Sequence, residues 1–154
     1  MIIMLSDHFS ASEFLFSQTA SRLGLDNNFV VDQHYQNAII LCRDYLEPVR
    51  AKLGCPIRIS SGYRTAHVNA KVGGSKHSSH MTGCAVDIVP VRGGLKELWL
   101  TIQLCVQDKS IPKFDQLIWE FGSWVHLGIR RAEPRMELLR ASYKHGRVAY
   151  EAYA

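Results

Sequence analysis

The sequence predicts an α+β domain in which helices pack on a small, mainly antiparallel sheet. Three observations lead there. Apolar residues recur at three- and four-residue spacing over 35–49 and again over 95–106, the period of a half-buried helix. Short runs rich in β-branched and aromatic residues cluster between Ile57 and Ile129. Two of those runs flank Phe121-Gly122-Ser123, a hairpin signal. At 154 residues the chain fits one domain, 1–154. Its 47% hydrophobic and 21% charged content suits a folded chain with a substantial core.

Each element has a local reason. Ser10-Ala-Ser-Glu13 has the capping-box pattern, so a helix should begin there and end near Gly24. Leu25–Val31 reads as a loop, with Asp26-Asn27-Asn28 supplying turn chemistry. Asp32 can cap a longer helix carrying Tyr35, Ala38, Ile39, Cys42, Tyr45, Leu46 and Val49; Pro48 should kink or divide it, and Gly54-Cys55-Pro56 stops it. Ile57–Ser61 is a strand, Val68–Val72 a helical turn, and residues 73–79 a tightly shaped loop. Ala85–Val89 is a strand, and Leu95–Val106 an amphipathic helix. Phe114–Glu120 and Trp124–Ile129 form the hairpin strands. After Ala132 the pattern suggests a helix over Glu133–Ala141, followed by a polar tail.

Composition narrows the partners. The net charge is +4, but the basic residues are scattered, with a bias towards Arg130, Arg131, Arg135, Arg140, Lys144 and Arg147. Nucleic-acid binders concentrate such charge in one stripe, so no nucleic-acid partner is expected. The four cysteines have no CxxC spacing and read as reduced, mostly buried thiols. Met1–Leu5 is apolar but lacks the basic and long apolar regions of a signal peptide, and no run is long enough to span a membrane. Synthesis in the cytoplasm, as a monomer with no membrane partner, is the expectation.

The chemistry lies in His80-Met-Thr-Gly-Cys-Ala-Val-Asp87 and Trp124-Val-His126. Alternate residues of a strand share a face. Cys84, Val86 and Ile88 form an apolar face, which turns Asp87 the other way beside small Ala85. Val125, Leu127 and Ile129 do the same for His126. Imidazole and carboxylate donors suit zinc, and three protein ligands leave a fourth position for water, as in catalytic sites. His67 and His77, by contrast, read as solvent-exposed loop residues.

The spacing Ser78-x-His80-x-x-Gly83-x-Ala85-x-Asp87, with Ser61-Gly62-Tyr63-Arg64 before it and Trp124-Val-His126 after it, resembles the M15 zinc peptidases. These are the D-Ala-D-Ala carboxypeptidases and dipeptidases and the phage L-alanyl-D-glutamate endopeptidases. The sequence is most similar to the short phage and prophage branch, subfamily A, through Phe9-Ser-Ala-Ser-Glu-Phe14, Ser17-Gln-Thr-Ala20 and Gly24-Leu-Asp-Asn27. The likeness runs over about residues 5–130, leaving 131–154 as a C-terminal helix and tail. It implies a Hedgehog/D-Ala-D-Ala-peptidase-like fold. It also implies zinc held by His80, Asp87 and His126, a substrate-polarising Arg64, and Ser78 near the bound substrate.

The general base is where the sequence departs from that pattern. Relatives carry an acid three positions before the last histidine, or a histidine two before it; here Ser123 and Trp124 stand there. Glu120 is the nearest acid. A three-residue loop would put Glu120 on the face of His126, whereas a two-residue loop would turn it away. Asp115 is the fallback. The resemblance implies hydrolysis of peptidoglycan stem peptides. Glu120 would take a proton from water and return it to the leaving amine, while Arg64 helps to hold the oxyanion. Such an enzyme would act at the cell wall after release from the cytoplasm, or as part of a phage particle. Two other readings are a non-catalytic zinc module binding cell wall or virion, and a bacterial D-Ala-D-Ala carboxypeptidase.

Overall fold

A computed structural model describes residues 1–154. The N-terminal helix is split in two, α1 (Ala11–Leu15) and α2 (Gln18–Leu23). Ser10 caps the first, accepting a hydrogen bond from the Glu13 N–H. Ser17 caps the second in the same way, through the Ala20 N–H. The expected single helix fails because the Ser17 hydroxyl offers the backbone a fresh N-cap, with Phe16 extended before it. Gly24 closes α2 in the left-handed conformation, as expected.

The long helix begins at Asp32 itself, after Val31, and no side chain caps it; Asp32 supplies first-turn charge instead. It comprises α3 (Asp32–Ile40), a π-helical stretch over Leu41–Leu46 and α4 (Glu47–Leu53). Pro48 has no N–H to give the Asp44 carbonyl, and its ring crowds the preceding turn. The chain responds by widening: the Glu47 N–H reaches Cys42 O, five residues back. The remaining helices are α5 (Ala66–Lys71), capped by Thr65, and α6 (Leu95–Gln107).

Six strands, β1 (Ile57–Ser61), β2 (Ala85–Pro90), β3 (Gln116–Glu120), β4 (Trp124–Gly128), β5 (Glu137–Lys144) and β6 (Arg147–Ala152), form one sheet. Their order is β1-β2-β4-β3-β5-β6. The sheet is mixed: β3 and β5 run parallel, and the other neighbouring pairs antiparallel. Helices cover one face. There Val86, Ile88, Val125, Leu127 and Leu117 meet Leu98, Trp99 and Ile102 of α6, and Leu41, Leu46 and Val49 of the long helix. The opposite face carries Asp87 and His126, as strand parity requires.

The region after Ala132 is not a helix and tail but the hairpin β5–β6. The apolar residues Met136, Leu138 and Leu139 mislead when read at helical spacing. Strand β5 instead pairs along the whole of β3, from Gln116↔Glu137 to Glu120↔Ala141. A long-range partner thus overrides the local pattern. The crossing from β4 to β5 is held by one clamp. The Arg135 Nε and Nη2 donate to the two carboxylate oxygens of Asp115, at 2.9 and 2.7 Å, and the Arg135 N–H donates to Oδ1 at 3.1 Å. His145 and Gly146 form the tip of the hairpin, both with positive φ.

Hydrogen bonds from Arg135 hold the Asp115 carboxyl below the usual carboxylate range despite its burial. A group with a depressed folded-state pKa contributes stability above its unfolded pKa, about 4, and that contribution is lost as pH falls through the folded value. Asp115→Asn should therefore lower stability at pH 7 by about 1–2 kcal/mol. The gap to the unsubstituted protein should narrow below about pH 4. Thermal melts at pH 7 and pH 3 check this; an equal gap at both would contradict it.

Candidate metal centre

Three side chains converge on the uncovered face of the sheet. Asp87 and His126 are direct cross-strand partners on β2 and β4. His80 comes from a single 3-10 turn, Ser79–Thr82, just before β2. Asp87 Oδ1 lies 2.9 Å from His126 Nδ1 and 3.3 Å from His80 Nε2. One ligand atom from each residue falls within 4.8 Å of the others, and all three residues are buried.

The surrounding chain fixes this geometry. An irregularity between Ile59 and Ser61, beside Asp87, turns the backbone out of β1. The Gly62 carbonyl then lies 2.6 Å from His80 Nδ1. That contact orients the ring, leaving Nε2 to face Asp87. Gly62 must be glycine, because a Cβ there would stand 2.3 Å from the Phe14 carbonyl oxygen. Gly83 ends the 3-10 turn at φ +77°, and a Cβ there would stand 2.3 Å from the His34 carbonyl oxygen. The Asn27 side chain donates to Leu15 O and Tyr63 O and accepts from the Thr65 N–H, tying the N-terminal helices to the Arg64 segment.

The donor set fits a divalent metal. Burial lowers the pKa of His80, which keeps its imidazole neutral, the form that ligates. Burial alone would raise the Asp87 pKa, but the two histidines hold it well below the ordinary range, so the carboxylate is charged. Burial disfavours charge on His126 too, but the hydrogen bond to Asp87 outweighs this and raises its pKa. Two imidazoles and one carboxylate are the donors that zinc takes when a further position stays open.

The other predicted site residues lie nearby, with one exception. The hairpin loop has three residues: Glu120 pairs with Trp124 and Ile118 with His126, which puts Glu120 on the metal-binding face. Glu120 Oε1 is 3.7 Å from His126 Nδ1. Burial, assisted by the Asp87 charge, pushes its carboxyl up to about 7. Arg64 is partly buried in the same field of Asp87 and Glu120, and burial lowers its pKa. Its Nη2 is 3.4 Å from Ser78 Oγ, and its Nε is buried without a partner. Ser78 Oγ also accepts from the His80 N–H, so it caps the turn that carries His80. Asp115 is the exception. It is held by Arg135 at the far end of β3 from Glu120. His77 is exposed, and Cys84 packs against the core.

The family model described as Peptidase M15 matches residues 7–128, most of the chain and every residue of the site. The protein belongs to the M15 peptidases. Among individually curated proteins none matches it. The matched segment ends before β5, so this M15 peptidase completes its sheet with strands outside the family match. Sequence reading missed Tyr150 of β6, whose phenol shares the field of Glu120, Asp87 and Arg64. Only the pairing of β5 with β3 brings that tyrosine near, and no local pattern marks it.

This donor set should bind one zinc ion per chain, and His126→Ala should weaken binding by more than about 100-fold, a larger loss than orienting residues cause. Calorimetric titration with zinc measures both. Undiminished binding in the variant would remove His126 from the ligand set.

Proposed function

We propose that this M15 peptidase is a zinc enzyme that hydrolyses peptide bonds in peptidoglycan stem peptides, of the phage or prophage endolysin type. The observation that carries the reading is the pairing of a buried His80-Asp87-His126 donor set with a further, half-buried carboxylate, Glu120, on the same sheet face. A structural metal site needs no free base beside it; a hydrolytic one does.

Zinc bound by His80, Asp87 and His126 would supply Lewis-acid activation of water and polarisation of the scissile carbonyl. The chain's own residues do the rest. Burial and the Asp87 charge outweigh the pull of His126 and Arg64 on Glu120, and a carboxyl near neutrality can both accept and return a proton. It takes the proton from water and delivers it to the leaving amine. Arg64 presents its guanidinium to the developing oxyanion. Ser78 keeps both Arg64 and the His80 turn in place. The Gly62 carbonyl keeps His80 turned towards Asp87.

Such an enzyme would act on the wall after release from the cytoplasm, or from a phage particle; no helix is long and apolar enough to cross a membrane. Glu120, a carboxylate beside the donor set with its Oε1 3.7 Å from His126 Nδ1, favours a catalyst over a purely binding module. The same residues would also serve a carboxypeptidase acting on D-Ala-D-Ala termini, and the products separate it from an endopeptidase.

Glu120→Gln should keep the fold and the zinc stoichiometry while lowering turnover on purified sacculi by about 10²–10⁴-fold. Full activity in the variant would eliminate Glu120 as the base. Mass spectrometry of products from the unsubstituted enzyme identifies the bond. Release of free D-alanine would replace the endopeptidase reading with the carboxypeptidase one, and absence of any cleavage product would favour the binding module.

A further inference from the structure

The C-terminal hairpin lies outside the family match, yet it extends the face that carries the metal-binding residues. One register row crosses four strands on that face: Trp124, Glu120, Ala141 and Tyr150. Between Glu120 and Tyr150 stands only a methyl group. Neighbouring strands are about 4.8 Å apart, so a tyrosine ring two strands away can lean across an alanine towards the carboxylate. Ala141 is only 1% exposed, so the larger side chains of its row close over it. Tyr150 itself remains 58% exposed and therefore reachable by a ligand.

The hairpin is also fixed to the catalytic turn. The Phe121 N–H donates to Ala141 O, and the Phe121 ring stacks on Tyr143 with centroids 4.6 Å apart. On the helix-covered face, Tyr153 packs on Trp99 and Trp119, and its hydroxyl takes a hydrogen bond from Lys96. The two tyrosines, Tyr150 in β6 and Tyr153 just after it, thus have separate tasks. Tyr153 anchors the strand, while Tyr150 stands exposed in the same register row as Glu120.

We propose that Tyr150 is a substrate-contacting residue. Its hydroxyl donates a hydrogen bond to a carbonyl or carboxylate oxygen of the peptide bound alongside Glu120, and the β5–β6 hairpin forms that wall of the binding cleft. The proposal rests on the peptidase reading above. The phenol shares the electrostatic environment of Glu120, Asp87 and Arg64; burial and the two carboxylates keep it protonated and able to donate.

The test compares Tyr150→Phe and Tyr150→Ala with the unsubstituted zinc enzyme on a soluble stem peptide, with zinc content and thermal melting recorded. Tyr150→Phe keeps the ring and loses only the hydroxyl. It should raise KM about tenfold with kcat little changed, the size of one hydrogen bond made equally before and during reaction. Tyr150→Ala should raise KM further. Zinc content and melting of Tyr150→Phe should be unchanged. A Tyr150→Phe enzyme with unaltered KM overturns the proposal while leaving the peptidase reading intact. So does a loss that appears only with lowered melting or zinc content. An unsubstituted enzyme that neither cleaves nor binds the peptide overturns the peptidase reading, and Tyr150's role with it.

Discussion

The structure is organised around a carboxylate that has no business in the middle of a sheet unless something cationic meets it. Asp87 is buried on the centre of β2 with two imidazoles against its Oδ1. Burying a lone charge is costly, and a partner must be supplied with good geometry. The rest of the local architecture serves that need. The irregularity at the end of β1 turns the chain so that Gly62 can hold His80, and Gly83 closes the turn that delivers it. Small residues at both positions let α1 and α3 approach closely enough to brace the turn. The donor set is therefore held from outside, by backbone groups of segments that never touch the metal-binding atoms.

Much of this was legible in the sequence because strands announce their faces. Val86 and Ile88 on one strand, and Val125 and Leu127 on the other, could only point into the core. Asp87 and His126 then had to share the opposite side, and their direct pairing follows from that parity. Two readings stayed open until coordinates were in hand. The loop length at Phe121-Gly122-Ser123 decided the side on which Glu120 lies, and both Phe121 and Gly122 adopt positive φ to make that turn. The fate of Asp115 depended on Arg135, twenty residues away, whose pairing no local window reveals.

What escaped the sequence was non-local. The apolar residues after Ala132 suit a helix by spacing, and only the free edge of β3 turns them into a strand. The π-helical stretch before Pro48 kept the long helix going where a kink or break was the simpler expectation. Ser17 gives the opposite lesson, since a single hydroxyl divides what the capping signals at Ser10 and Gly24 bracket as one helix. In each case competition between two adequate local solutions was settled by packing or by one hydrogen bond.

The three-residue turn between β3 and β4 has a consequence for how the protein reaches this state. It sets Glu120 beside His126 through contacts local in sequence, which cost little loop entropy and form on microsecond timescales. Asp87 meets His126 across 39 residues of intervening chain, and His80 is oriented by Gly62, 18 residues earlier. Glu120 and one imidazole thus belong to a hairpin of local contacts, whereas the three-donor cluster exists only once β1, β2 and β4 have docked. A partly folded chain would carry the acid and the histidine yet have nowhere to hold an ion. A complete donor set therefore requires the docked sheet, not the hairpin alone.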